Sequence, residues 1–142
     1  MLKKIIFCFG LALLNLSANE LIEISDAYVQ QTPPNAKNTA IFLTLKNKSE
    51  RELSLVSVFT NLSDKTELHT HTHTHNKMSM VRIPKITLSP HTETRLQPGG
   101  LHIMVFDLKK QVDADTKADL TLYFDDNSSL EIKNIPSAAM KK

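Results

Sequence analysis

An all-β domain, a sandwich or a barrel, is the fold this sequence predicts, and three observations predict it. Short runs of alternating apolar and polar residues recur along the chain. Clusters rich in Pro, Gly, Asn and Asp separate them at regular spacing. No stretch carries the spacing of a convincing amphipathic helix.

The elements follow in order. Residues 21–30 (LIEISDAYVQ) set Leu21, Glu23 and Ser25 against Ile22 and Ile24, a strand. Residues 31–38, with Pro33, Pro34 and two asparagines, are a loop. Residues 39–46 (TAIFLTLK) are β-rich and apolar on both parities, as a central strand is. After a polar turn at 47–51, residues 52–59 alternate again, with Leu53, Leu55 and Ser57 on one face and Ser54, Val56 and Val58 on the other. A turn at 61–64 leads through 65–69 (KTELH) into the histidines, and 77–83 put Met78, Met80 and Arg82 on one parity. Pro84 and Pro90 bracket a short segment around Ile86 and Leu88, and 93–96 are another brief one. Pro98-Gly99-Gly100 is the strongest turn signal and holds two of the chain's three glycines. Residues 101–108 (LHIMVFDL) form a strand with His102 and Met104 on one face. Residues 118–124 and 129–135 pair as a hairpin about Asp125-Asp126-Asn127. Residues 136–142 lack apolar periodicity and are expected to be a short mobile tail.

The first 18 residues stand apart. Lys3 and Lys4 precede an apolar run at 5–14 and a small polar stretch ending at Ala18, the pattern of a secretory signal peptide cleaved after Ala18. The run is shorter than the roughly 20 residues needed to span a bilayer. Cys8 lies inside it, which argues against a lipoprotein anchor. Cleavage removes the only cysteine and both lysines, leaving 15 basic residues (17 less those two) against 15 acidic. A near-neutral mature chain lacks the basic surface that nucleic-acid binding requires. No later segment inserts in a membrane by its hydropathy, and residues 19–135 are the size of one domain. The expected compartment is the periplasm.

All six histidines and three of the five methionines fall between Leu68 and Met104. His69, His71, His73 and His75 alternate with threonines, so in an extended strand their side chains share one face. Met78 and Met80 follow, and His102 and Met104 close the stretch. Imidazole and thioether without a thiol form a metal-binding inventory. Thioether sulfur favours Cu(I), imidazole accepts Cu(I), Cu(II), zinc and nickel, and both are neutral donors. Thiols are readily lost to disulfides in an oxidising compartment, so a His/Met set suits copper there better than zinc. Structural roles compete residue by residue. Met104 in an apolar strand is equally a core residue, His102 taken singly is more simply a hydrogen-bonded structural histidine, and the histidine run doubles as a solvated loop that binds metal loosely. His91 reads as an ordinary loop residue.

The spacing of four of these residues carries a resemblance. His69 is followed by ten residues and Met80, then by twenty-one residues and His102-Ile103-Met104. Around them stand Ile24-Ser25-Asp26-Ala27-Tyr28, Thr32-Pro33-Pro34 with Ala36-Lys37, Glu67-Leu68-His69, and Gln97-Pro98-Gly99-Gly100. In these features, from about residue 21 to 124, the chain resembles the periplasmic copper chaperones of the PCu(A)C type. The resemblance implies a cupredoxin-like β-sandwich with Greek-key connections. It also implies one Cu(I) bound through His69, Met80, His102 and Met104. The implied partner is a copper acceptor, typically the dinuclear copper centre of a haem–copper oxidase or a thiol-bearing assembly factor. One departure is plain: relatives commonly follow the first ligand with methionine and acidic residues, and this chain has His71, His73 and His75. With Met78 they are candidate accessory donors, and the added imidazoles extend the expected chemistry to Cu(II).

The function class expected is therefore an exported copper chaperone and not an enzyme, with copper storage or detoxification as the alternative. A blue-copper electron carrier needs a cysteine ligand, and no hydrolytic constellation stands out among the scattered acids.

Overall fold

Alternation becomes strand almost wherever the sequence predicts it. The computed structural model describes residues 21–140, so the expected signal peptide at 1–18 lies outside the described residues. Ten strands follow: β1 (Ile22–Gln30), β2 (Thr39–Asn47), β3 (Leu53–Thr60), β4 (Lys65–Thr74), β5 (Lys77–Arg82), β6 (Ile86–Leu88), β7 (Glu93–Leu96), β8 (His102–Phe106), β9 (Lys117–Phe124) and β10 (Ser129–Ala138). They are hydrogen-bonded in the order β5-β4-β8-β2-β1-β10-β9-β3-β6, with β7 also on β2. A short parallel pairing of β1 with β10 joins the two halves, and both halves close on one core. Ile41, Leu43 and Leu45 of β2 and Ile103 and Val105 of β8 meet Leu53 and Leu55 of β3, Leu120 and Leu122 of β9 and Ile135 of β10 there, all buried. Each such side chain contributes about 1.5–3 kcal/mol of transfer free energy. The chain changes halves at β2–β3, β3–β4, β5–β6, β6–β7 and β8–β9, the Greek-key manner of connection. The result is the expected cupredoxin-like β-sandwich. No helix among the described residues is long and apolar enough to cross a membrane.

β2 explains its apolar residues on both parities. Its odd-numbered side chains enter the core, while Ala40 and Phe42, on the other face, are also buried. Tyr28 of β1 lies against Phe42, ring centroids 5.3 Å apart, and a loop flanks it from the other edge of β2. β7 pairs Leu96 with Leu43 and β8 pairs Ile103 with Ile41, so residues 97–102 stand opposite Phe42 alone. The surplus is pushed out as a loop. It closes with the Gly100 N–H donating to Gln97 O at 3.0 Å. Pro98 supplies the fixed φ of the first turn position, and Gly99 takes φ 83° at the second, as a type II turn demands.

Three local departures have physical causes. A bulge between Leu55 and Ser57 reverses the parity of β3, so Val58 packs against the core and Val56 faces solvent. The alternating histidines leave the strand after Thr74. His75 and Asn76 form a two-residue hairpin loop with φ 51° and 62°, both positive as a type I′ turn requires. The expected mobile tail is corrected at its start: residues 136–138 belong to β10. Pro136 pairs with Lys117, Ser137 and Ala138 lie beside Val29 and Gln30, and Gln31 N–H donates to Ala138 O at 2.9 Å. Backbone pairing holds this segment without any apolar periodicity.

Asn47, at the end of β2, is fully buried and fully paired. Its amide donates to Arg51 O and Leu88 O, both at 2.9 Å, and its carbonyl accepts from Ser49 N–H at 3.0 Å and Ser49 O–H at 2.7 Å. Asn47→Ala leaves buried partners unsatisfied, and a loss of about 2–4 kcal/mol is expected in urea denaturation. A loss below about 0.5 kcal/mol would place this clamp among ordinary surface contacts.

Candidate metal centre

Strand register brings the scattered histidines and methionines onto one face. β4 pairs with β8 so that His69 faces His102 and Glu67 faces Met104. β4 pairs with β5 so that His71 faces Met80, His73 faces Met78 and His69 faces Arg82. β2 adds Ala40 opposite Met104. Because directly opposed residues share a face, His69, His71, His73, Met78, Met80, His102 and Met104 all lie on the side of this sheet away from the core. His75 sits at the hairpin tip. His91 is in a loop, its ring 2.9 Å from the Glu50 carboxylate.

Depth varies across the face. His102 and His69 are buried at 2% and 8% exposure, whereas Met80 is 51% and Met78 57% exposed. Met104 and His71 are half-buried, and His73 is exposed. Phe42 and Phe106 wall the buried pair, with ring centroids 6.3 Å from His102 and 5.8 Å from His69. A cavity of about 260 Å³ opens between the Pro98-Gly99 loop and β2, lined by Phe42, His71, Met80, His102 and Met104 among others. His69 reaches His102 from the other side, ring centroids 5.7 Å apart.

Hydrogen bonds settle which ring nitrogens are available. A backbone carbonyl only accepts, so His102 Nδ1–H donates to Gly100 O at 3.0 Å and His71 Nδ1–H donates to the same oxygen at 3.2 Å. Both rings therefore carry a lone pair on Nε2. His69 Nε2–H donates to Glu67 Oε2 at 2.7 Å. That bond, and less strongly the Arg82 and Lys65 charges, hold the Glu67 carboxyl below its ordinary range against partial desolvation. The lone pair of His69 is then on Nδ1, which is buried and has no hydrogen-bond partner. A buried polar atom left unpaired costs about 1–3 kcal/mol, a cost that a bound cation offsets. Burial pushes the His102 imidazole down from its usual value, and the nearby His71 and His69 add to this against the Gly100 bond. The ring stays neutral, with its lone pair ready for a metal.

The donor set fits a soft monovalent metal. Among the described residues no three His, Cys, Asp or Glu side chains group to hold an ion, so imidazole and carboxylate alone make no centre on this face. The thioethers of Met80 and Met104 line the same cavity as His71 and His102 and are the soft donors on this face. Sequence reasoning missed the groups that orient the rings. Glu67 carried a signal, since it lies two residues before His69 and so shares its face on a strand. The reach of His71 to the Gly100 carbonyl and the Phe42 wall depend on cross-strand register, which no spacing in the chain reveals.

Comparison with known proteins fits this architecture. The family model "Putative lipoprotein LpqE-like" matches residues 22–136. Uncharacterized protein RP573 of Rickettsia prowazekii (strain Madrid E) is 30% identical over 103 residues, an alignment of 71% of this chain and 56% of that protein. The chain thus spans about half the length of that curated relative. Among solved structures, the copper-bound PCuAC domain from PmoF2 superposes with TM-score 0.69 at 19% identity, over 83% of this chain and 93% of that one. The likeness there is one of fold. CuI-DR1885 from Deinococcus radiodurans superposes with TM-score 0.61 at 30% identity, over 82% of this chain and 76% of that one. With a match running from the first strand into the last, the chain belongs to the LpqE-like family, and it has the fold of PCuAC domains.

Proposed function

We propose that this protein is an exported copper chaperone. It binds one Cu(I) through His69, Met80, His102 and Met104 and passes it to a copper acceptor in the periplasm. The observation that carries this reading is the buried, unpartnered Nδ1 of His69. It lies on the sheet face that also gathers His102 and the thioethers of Met80 and Met104. The copper-bound state of two solved relatives, the PmoF2 domain and CuI-DR1885, supports the choice of metal. Transfer proceeds by stepwise ligand exchange. The thioether of Met80 lies at the surface, so an incoming thiol or thioether displaces it first, and the inner imidazoles follow without unfolding. The acceptor proposed is the dinuclear centre of a haem–copper oxidase or a thiol-bearing factor that assembles it. Deleting the gene and assaying the oxidase tests this: activity lost without the protein and restored by added copper is expected. Normal oxidase with increased copper sensitivity would favour storage or detoxification instead.

The exposed hairpin tip favours one addition. His73 faces Met78 across the strands and His75 sits in the turn beyond. With His71 they extend the donor set outward as a weaker accessory Cu(II) site, weak because His73 and His75 are exposed and the three imidazoles do not already converge. Replacing His71, His73 and His75 with alanine should remove one binding event from a spectroscopic Cu(II) titration. An unchanged stoichiometry and spectrum would reduce the tip to a solvated hairpin.

A further inference from the structure

Five donors, not four, lie on this sheet face, and the fifth is His71, which lines the cavity with Met80, His102 and Met104. We propose that His71 and His69 are interchangeable ligands of one Cu(I), sharing Met80, His102 and Met104, and that the ion moves outward when His71 replaces His69. This rests on the copper reading above and adds a step to it.

Register is the first support. Met80 stands directly opposite His71, whereas His69 stands opposite Arg82. Directly opposed residues have Cβ atoms about 4.5–5.5 Å apart, so His71 is the better placed of the two to share a metal with the Met80 sulfur. Cavity lining is the second. His71, Met80, His102 and Met104 all face the same space of about 260 Å³, and His69 is not among its lining residues. Orientation is the third. One carbonyl, that of Gly100, accepts from Nδ1–H of both His71 and His102. It leaves both Nε2 lone pairs available on rings whose centroids are 5.1 Å apart, closer than the 5.7 Å between His69 and His102. Hydrogen-bonded second partners of this kind orient metal-binding histidines.

Against His71 stands the buried, unpartnered Nδ1 of His69, and the two observations are compatible if both rings serve in turn. The inner set holds the ion against His69, beside Glu67 and Phe106. The outer set holds it against His71, on the side of the half-exposed Met80. Exchange is a substitution at copper: the Cu–Nε2 bond to His71 forms as the Cu–Nδ1 bond to His69 breaks. In the tautomers set by the Glu67 and Gly100 contacts both nitrogens carry the lone pair, so no proton moves and the oxidation state is unchanged. Nearly equal donors make the two sets close in free energy. Copper in the outer set is the form an acceptor meets, which makes His71 the hand-over ligand.

The test is a double-mutant cycle on the mature protein, read by competition with a chromophoric Cu(I) chelator and by the rate of copper transfer to it in stopped flow. His71→Gln should keep 1:1 binding with affinity within about threefold of wild type, while transfer slows by about tenfold or more. His69→Gln should lose no more than about tenfold in affinity, because His71 takes its place. The double variant should lose at least about tenfold beyond the product of the two single losses. Multiplicative losses, or a His71→Gln protein that hands over copper at the wild-type rate, would overturn the exchange and leave the four-ligand site standing. A wild-type protein that takes up no Cu(I) would overturn the copper reading and the exchange together. If His69→Gln, at a buried position, does not fold, the transfer rate of His71→Gln decides alone.

Discussion

Replacing Met80 and Met104 together with leucine should cost about a hundredfold or more in Cu(I) affinity, roughly 3 kcal/mol, while the domain stays folded. The fold survives because leucine and methionine are close in volume, and such exchanges cost under about 1.5 kcal/mol even in a core. Neither site is deep core: Met80 is 51% exposed and Met104 half-buried. What leucine removes is sulfur. Thioethers are the soft donors that favour Cu(I), and the imidazoles left behind accept Cu(II), zinc and nickel as well. Selectivity is therefore the sharper readout. Cu(I) binding under reducing conditions, measured against a competing chelator, should collapse in the double variant, whereas Cu(II) uptake at the histidines should change far less. Equal Cu(I) affinity in variant and wild type would take both methionines out of the site and with them the case for a copper chaperone.

Much of this site was legible in the chain because β-structure has a period of two. Alternation of His69, His71 and His73, and of His102 with Met104, places each set on one face once the stretches are strands. The same rule reaches Glu67. The apolar residues of β2 on both parities announce a strand covered on both sides, as Ile41 and Phe42 prove to be. What a period of two leaves open is pairing. The family resemblance implies that His69 and Met80 share a metal, but the hairpin turns at His75-Asn76, and that choice of turn sets His71, not His69, opposite Met80. A two-residue loop fixes register only after its residues have adopted positive φ, a conformation that Asn favours and His less often supplies. The extruded loop at 97–102 is similar. Pro98-Gly99-Gly100 marks a turn in the sequence, but its position over Phe42 follows from β7 and β8 sharing one edge of β2. Residues 136–138 form strand through backbone bonds to β1 and β9, a pairing that carries no side-chain signature.

Glu67 is where a group with no direct contact to the metal should nevertheless govern its affinity. Its Oε2 accepts from His69 Nε2–H at 2.7 Å, and Arg82 stands 3.9 Å from its other oxygen. That contact fixes the His69 tautomer with the lone pair on buried Nδ1, and a carboxylate partner makes the ring a stronger donor. Glu67→Ala removes the acceptor, so the ring is free to reverse its tautomer or rotate, and Cu(I) affinity should fall by up to about tenfold, no further than loss of His69 itself, with stoichiometry unchanged. Glu67→Gln keeps an oxygen able to accept the same N–H and loses the charge, so its loss should fall between wild type and alanine. This ordering separates orientation from mere packing: a packing role would weaken both variants through the unfolding midpoint of the apo-protein, and the isosteric glutamine would hardly register. If His71 replaces His69 as a ligand, the effect of Glu67→Ala should shrink as copper spends more time in the outer set, and the residual affinity should depend on His71. Glu67→Ala combined with His71→Gln should therefore lose more than the two changes predict separately, whereas copper affinity indifferent to Glu67 in either background would remove His69 Nδ1 from the list of ligands.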